Sequence, residues 1–236
     1  MNSPLKTYAR PNEPVAQARY NMIEQQIRPW NVYDADILLQ LGQMRREEFV
    51  PEALRSLAFS DMELPLLGDP DEALRNGLCM LAPKVEARLL HDLKVQKNER
   101  VLEIGAGSGF MAALLAYRAN QVVSLEIVPE LADMARANLQ RAGVHNAVVR
   151  LADGARDAIP DGPFDVIVLS GSVAAIPQEL LACLRDGGRL VAIVGQEPVM
   201  RTTFVHRKGD RFETTQPWDT NAARLAHFTE PSLFTF

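Results

Sequence analysis

A carboxylate stands at or near the end of three short apolar runs in this chain, and the first of those runs opens into glycines. Val101-Leu102-Glu103-Ile104 leads into Gly105-Ala106-Gly107-Ser108-Gly109, Val122-Val123-Ser124-Leu125 ends on Glu126-Ile127, and Leu151-Ala152 leads to Asp153-Gly154. Glycines let the backbone turn sharply and let a ligand approach it closely. A carboxylate at Glu103, two residues before the first glycine, can face a positively charged amino-acid group, directly or through water. One at Glu126 can accept both hydrogen bonds of a ribose diol. One at Asp153 can accept from the exocyclic amine of a base, with Gly154 leaving room for the ring. A fourth run ends on Leu169-Ser170-Gly171-Ser172, whose small residues would border the reacting end of such a ligand and admit a second substrate. Each feature also has a plainer reading: a tight turn, a strand-end charge, an Asp-Gly turn, a strand–helix loop. The glycine spacing narrows the choice. The dinucleotide pattern G-x-G-x-x-G needs glycine where Phe110 stands, and no lysine is present for a phosphate loop.

These residues need elements to hold them, and the apolar periodicity supplies them. Val15, Ala18, Met22, Ile23 and Ile27 follow helical spacing, with Pro29 expected to end the helix. Asp34 caps a second helix carrying Ile37, Leu38 and Leu41. Residues 45–82 read as irregular or short-helical, and Pro83 opens a helix with Val85, Leu89, Leu90 and Leu93. From there strand and helix alternate. Strands are expected at 101–104, 121–125, 147–151, 164–169 and 189–194, with helices at 111–117, 129–142 and 177–184, and Gly187-Gly188 turning into the last strand. Residues 201–207 and 211–216 flank Lys208-Gly209-Asp210 as a hairpin, and Ser232 to Phe236 add a possible final strand. Such alternation implies a parallel sheet covered on both faces, and ligands of open α/β sheets bind beyond the carboxyl ends of the strands. The glycine loop and the carboxylates converge there. The expected ligand is S-adenosylmethionine, held by Glu103, Gly105, Ala106, Gly107, Ser108, Gly109, Glu126, Ile127, Asp153, Gly154 and Ser170. A nicotinamide-dependent dehydrogenase is disfavoured by Phe110 and by the lack of a proton-relay pair.

Composition excludes other classes. The chain has 236 residues, 47% hydrophobic and 23% charged, with a net charge of −5. Those are globular proportions, and the acidic balance argues against nucleic acid as a partner. Met1 to Pro14 has no apolar core of a secretory signal, and no run approaches a membrane span. Two cysteines fit a reducing, cytoplasmic compartment, and four histidines show no metal-ligand spacing, so no metal is expected. The domain reading is a flexible tail over 1–13, a helical or irregular extension over 14–82 that shapes the acceptor site, and a donor-binding domain over 83–236.

The stretch from about residue 17 to 200 resembles the protein-L-isoaspartate O-methyltransferase family. The glycine strand and loop, with Ala112-Ala113-Leu114-Leu115-Ala116, are close to that family's first motif. Met22-Ile23-Glu24-Gln25-Gln26-Ile27, Arg45-Arg46-Glu47-Glu48-Phe49-Val50-Pro51-Glu52, and Ala58-Phe59-Ser60-Asp61 with Leu64-Pro65 resemble its N-terminal segments. Pro163-Phe164-Asp165, Ile176-Pro177 and Gly187-Gly188-Arg189-Leu190-Val191 follow its later ones. The resemblance implies a Rossmann-like methyltransferase fold: a mostly parallel, doubly wound α/β sheet with a C-terminal antiparallel hairpin and an N-terminal helical extension. It also implies methylation of an isoaspartyl or other carboxylate in damaged proteins, a repair activity. The family carries a Gly-Gln-Thr-Ile/Val-Ser-x-Pro stretch whose serine helps hold the acceptor carboxylate. Here Gly77-Leu78-Cys79-Met80-Leu81-Ala82-Pro83 stands in its place, with Cys79 at the threonine position and Leu81 at the serine position. The acceptor-site candidates are therefore Cys79, Leu81, Ser170 and Asp61, with Arg28 beside them. A carboxylate acceptor is ionised at neutral pH and needs no general base. The alternative is a family member with altered acceptor specificity, or a cofactor-binding regulatory module without isoaspartyl activity.

Overall fold

Side-chain alternation along the central strands divides the core in two. The computed structural model describes residues 13–159 and 161–230. The N-terminal tail, Glu13 apart, and the possible strand at Ser232 to Phe236 lie outside the described residues. In chain order come α1 (Pro14–Met22), α2 (Ala35–Gln43), β1 (Leu64–Pro65), α3 (Pro70–Arg75), β2 (Cys79–Met80) and α4 (Pro83–Leu93). Then follow β3 (Arg100–Ile104), α5 (Phe110–Arg118), β4 (Gln121–Glu126), α6 (Pro129–Arg141), β5 (Ala147–Leu151), β6 (Phe164–Val173), α7 (Gln178–Ala182), β7 (Leu184–Gln196), β8 (Val199–Lys208) and β9 (Arg211–Asp219). One seven-stranded sheet has the order β5-β4-β3-β6-β7-β8-β9, while β1 and β2 pair separately. The first five of those strands are parallel, and β8 and β9 are antiparallel to their neighbours.

Leu102, Ile104, Val123, Leu125, Ile167 and Leu169 enter one core layer, with Leu180 and Leu181 of α7. Val101, Val122, Val166, Val168 and Val191 enter the other, against α4, α5, α6 and the N-terminal extension. This is the period-two signature of strands buried on both faces. Asp34 caps α2 as the sequence implies, accepting from the Asp36 and Ile37 N–H groups. Gly143, at φ 69°, ends α6, and Gly209, at φ 60°, turns β8 into β9. No helix among the described residues is long and apolar enough to cross a membrane.

Two expected boundaries are corrected. Pro29 does not end the first helix: α1 passes through a wide π turn over Ile23–Ile27 into a tight turn, Arg28–Trp30, that contains Pro29. The wide turn precedes the ring, which in a regular helix would clash with the carbonyl four residues back. The chain stops at Asn31, in the left-handed region at φ 60°. Likewise α7 is confined to Gln178–Ala182, and β7 already begins at Leu184. Gly187 and Gly188 sit inside β7, where its pairing with β6 shifts register between Phe164 and Val166.

Candidate functional site

Beyond the carboxyl ends of β3, β4 and β5 the chain leaves a cleft of about 610 Å³. One wall holds Gly105, Gly107, Glu126, Ile127, Asp153 and Gly154, and the other Asn76, Gly77, Arg224, Leu225, Ala226 and Phe228. A smaller cavity of about 240 Å³ lies across the loop, lined by Leu81, Glu86, Glu103, Ala106, Ser108, Phe110 and Met111. Cys79, Gly105, Gly107 and Ser170 line both, so the two spaces meet at the glycine loop.

The loop is shaped by its glycines. Gly105, Gly107 and Gly109 have φ of 88°, 50° and 82°, where side chains are strained. At Gly109 a Cβ would lie 3.1 Å from the Ala135 backbone, so this glycine lets α5 start tight against α6. Gly107 lines the cleft, and a Cβ there would stand in ordinary contact with Leu66 and the Cys79 carbonyl at 3.4 and 3.5 Å. The Gly107 N–H donates to Glu126 Oε2 at 2.8 Å, and the Ile127 and Val128 N–H groups donate to Oε1 at 2.9 and 3.1 Å. Two carboxylate oxygens offer about four acceptor positions, so Glu126 is oriented by the backbone and keeps acceptor capacity.

Glu103 differs from expectation in its setting. Register places it opposite Ser124 on β4, and it is fully buried. Ser124 Oγ donates to its Oε2 at 2.6 Å and Ser170 Oγ to its Oε1 at 2.8 Å. Burial pushes its carboxyl up to about 8, opposed by the two serine hydrogen bonds and reinforced by the charges of Glu86 and Glu126. Asp153 accepts from the Ala155 N–H at 3.0 Å and lies 2.6 Å from His227 Nδ1. Gly154 lines the cleft and packs against Ile104: a Cβ there would meet Ile104 Cδ1 at 2.6 Å.

The acceptor candidates divide. Leu81 is buried, its side chain at the small cavity and its carbonyl accepting from Arg46 Nη2 at 2.6 Å. The Cys79 thiol faces Glu63 at 3.8 Å; burial, with the Glu63 charge, pushes it up to about 12. Ser170 lies between the two spaces, inside β6, which runs to Val173 rather than ending at Leu169 as expected. Asp61 pairs instead with Lys84 at 2.7 Å, and Arg28 with Glu24 at 2.9 Å, neither lining either space.

Two features escape sequence reasoning. One is the wall formed by residues 224–228, which carry no periodic signal. The other is the buried ion pair between Arg46 and Glu86, whose partners stand forty residues apart. Arg46 also donates to the Ala58 carbonyl and stacks over Phe110. The lining as a whole is acidic: Glu103, Glu126 and Asp153 face the loop, while Arg224 is tied to the Gly195 carbonyl and to Glu230. The Glu126 and Asp153 acceptors fit S-adenosylmethionine, a ligand rich in hydrogen-bond donors and positive charge.

The chain matches the sequence model of protein-L-isoaspartate(D-aspartate) O-methyltransferase over residues 17–220. It is 38% identical over 202 residues to a protein-L-isoaspartate O-methyltransferase of Methanoculleus marisnigri, across 86% of this chain and 88% of that one. To protein-L-isoaspartate O-methyltransferase 1 of Rhodopseudomonas palustris it is 40% identical over 182 residues, across 77% and 71%. A solved protein-L-isoaspartate O-methyltransferase superposes with a TM-score of 0.74 at 23% identity, across 88% of this chain and 66% of that one. A putative one from Plasmodium falciparum, in complex with S-adenosyl-L-homocysteine, gives 0.71 at 18%, across 90% and 98%. At those identities the two structures speak to the fold, a Rossmann-like methyltransferase fold.

Proposed function

The chain belongs to the protein-L-isoaspartate(D-aspartate) O-methyltransferase family, and from that membership we propose that it transfers the methyl group of S-adenosylmethionine to the isoaspartyl carboxylate of damaged proteins. The observation that carries this reading is the cleft at the strand ends, with glycine backbone on one wall and the Glu126 and Asp153 carboxylates beside it. S-adenosylmethionine supplies an electrophilic methyl group on a sulfonium centre. The protein's part is to bind, orient and exclude water. Glu126 keeps one acceptor position for a ribose hydroxyl, Asp153 accepts from the amine of the base, and Glu103, kept protonated near neutral pH by its burial, is tied to Ser124 and Ser170 beside the loop. Ile127 lines the same cleft, while Ala106 and Ser108 line the small cavity beside it and Gly109 sets the start of α5.

An acceptor carboxylate is ionised at neutral pH and needs no base, only alignment in a water-poor space. The small cavity is suited to that role. The Cys79 thiol stays protonated near neutral pH and is no nucleophile there, and no histidine among the described residues lines the space. The extension over 14–82 brings Leu81 and Cys79 to it, anchored through Arg46. The family match takes in the Gly77–Pro83 stretch, which favours retained turnover over a regulatory module. With an apolar side chain at Leu81 and the Ser170 hydroxyl donated to Glu103, the acceptor carboxylate finds its partners among backbone N–H groups. The two cysteines, both free, support a cytoplasmic location for this repair activity, with proteins or peptides as its partners.

The test is transfer of labelled methyl groups to an isoaspartyl peptide and to its normal aspartyl twin. Label on the first and not on the second is expected. No label on the isoaspartyl peptide, with donor still bound in calorimetry, would refute the assignment.

A further inference from the structure

The outer wall of the donor cleft is a C-terminal strap, residues 222–228, that the strand and loop motifs do not include. Its backbone is seated on the end of β6: Ser172 N–H donates to the Ala223 carbonyl at 2.8 Å, and Leu225 N–H to the Ser172 carbonyl at 2.9 Å. Ala223 N–H donates to Glu63 at 3.2 Å and Arg224 Nη2 to the Gly195 carbonyl at 2.8 Å. Three glycines from separate segments make room for it. A Cβ at Gly77 would lie 2.7 Å from the Arg224 carbonyl oxygen, one at Gly105 2.9 Å from Leu225 Cδ2, and one at Gly171 2.8 Å from Leu225 Cγ. The strap is thus built into the fold.

It ends in a contact with the one carboxylate placed to read the base. His227 Nδ1 lies 2.6 Å from Asp153 Oδ2. Asp153 lines the donor cleft, whereas His227 lines the neighbouring cleft with Ala155, Ile176 and Pro177, and so reaches Asp153 from behind. His227 adopts φ 68°, a left-handed conformation that a non-glycine residue holds only when its surroundings compensate. Asp153 Oδ1 accepts from the Ala155 N–H, and the Asp153 N–H donates to Asp157 at 2.7 Å. Burial would raise the Asp153 carboxyl, but the His227 hydrogen bond, the Ala155 N–H and the charges of His227 and Arg156 hold it below the usual range. An ionised carboxylate held on both oxygens still has a lone pair on each for an amine donor.

We propose that His227 is a positioning residue for the methyl donor: it fixes the Asp153 carboxylate from the far side, so that the amine of the base meets an acceptor already in place. This rests on the donor-site reading given above. The test is calorimetric titration with S-adenosylhomocysteine and with its 6-deamino analogue, which lacks the base amine. Wild type is compared with His227→Gly and His227→Asn. Glycine removes the donor without backbone strain. Asparagine keeps a side-chain N–H near the Nδ1 position and tolerates the left-handed conformation. His227→Gly is expected to weaken S-adenosylhomocysteine about tenfold, the scale of one hydrogen bond to a charged group, and to leave the deamino analogue nearly unchanged. His227→Asn is expected to retain most of the wild-type affinity. Equal loss for both ligands, no loss, or tighter binding in His227→Gly overturns the proposal. Wild type binding neither ligand overturns the donor-site reading itself, and the proposal with it.

Discussion

At the scale of single residues, Glu103 carries the clearest energetic consequence. Its position two residues before the glycines was legible in the sequence. Its burial was not, because that depends on α4 packing over the same face of the sheet. The folded chain holds the carboxyl near 8 against an ordinary value of 4.5. Between those values the unfolded chain has already lost the proton that the folded chain keeps, so stability falls as pH rises through that window. Glu103→Gln removes the dependence. Thermal unfolding is expected to show the variant gaining on wild type progressively from about pH 5 to about pH 8, and a constant difference would contradict this. Leu81 is the other informative residue. The departure from the family's serine was visible in the sequence, and the structure adds that Leu81 lines the small cavity beside Glu103. Leu81→Ser is expected to lower the KM for an isoaspartyl peptide roughly tenfold, the scale of one hydrogen bond to a carboxylate. Donor affinity measured in parallel should not move. An unchanged or raised KM would show that the serine position does not reach the acceptor.

Among the elements, the parallel strands were legible because each carries a short, mainly apolar run that leads toward a glycine or a carboxylate. Their neighbours were read less well. The helix expected to run to Leu184 ends at Ala182, since Gly187 and Gly188, read as a turn, are a pairing irregularity inside β7. Pro29 was read as a stop, but the wide turn before it absorbs the ring. The attachment of the N-terminal extension was the least legible, because it rests on pairs distant in sequence. Arg46 and Glu86 are both buried, and Arg46 also bonds the carbonyls of Ala58 and Leu81. Removing one member leaves a buried charge without its partner. Arg46→Ala is expected to cost about 3–5 kcal/mol in denaturant unfolding, and the double variant Arg46→Met with Glu86→Leu to recover most of it. A loss under about 1 kcal/mol would mean that water reaches Glu86 in the folded chain.

For the whole molecule, the sheet brings its carboxylates to one end, and the extension and the C-terminal strap close that end from two sides. Sequence patterns located the sheet and the glycine-loop wall of the cleft, which are built from contiguous strand–loop segments. They missed the opposing wall, assembled from Asn76, Gly77 and residues 224–228, because nothing in spacing alone brings those segments together. The central claim is that the glycine loop is where the methyl donor sits. Gly107 tests it most directly, since its backbone faces the cleft and its N–H holds Glu126. Calorimetric titration of S-adenosylhomocysteine into Gly107→Val, with the fold followed by circular dichroism, should show binding abolished in a folded protein. Wild-type affinity in that variant would contradict the account.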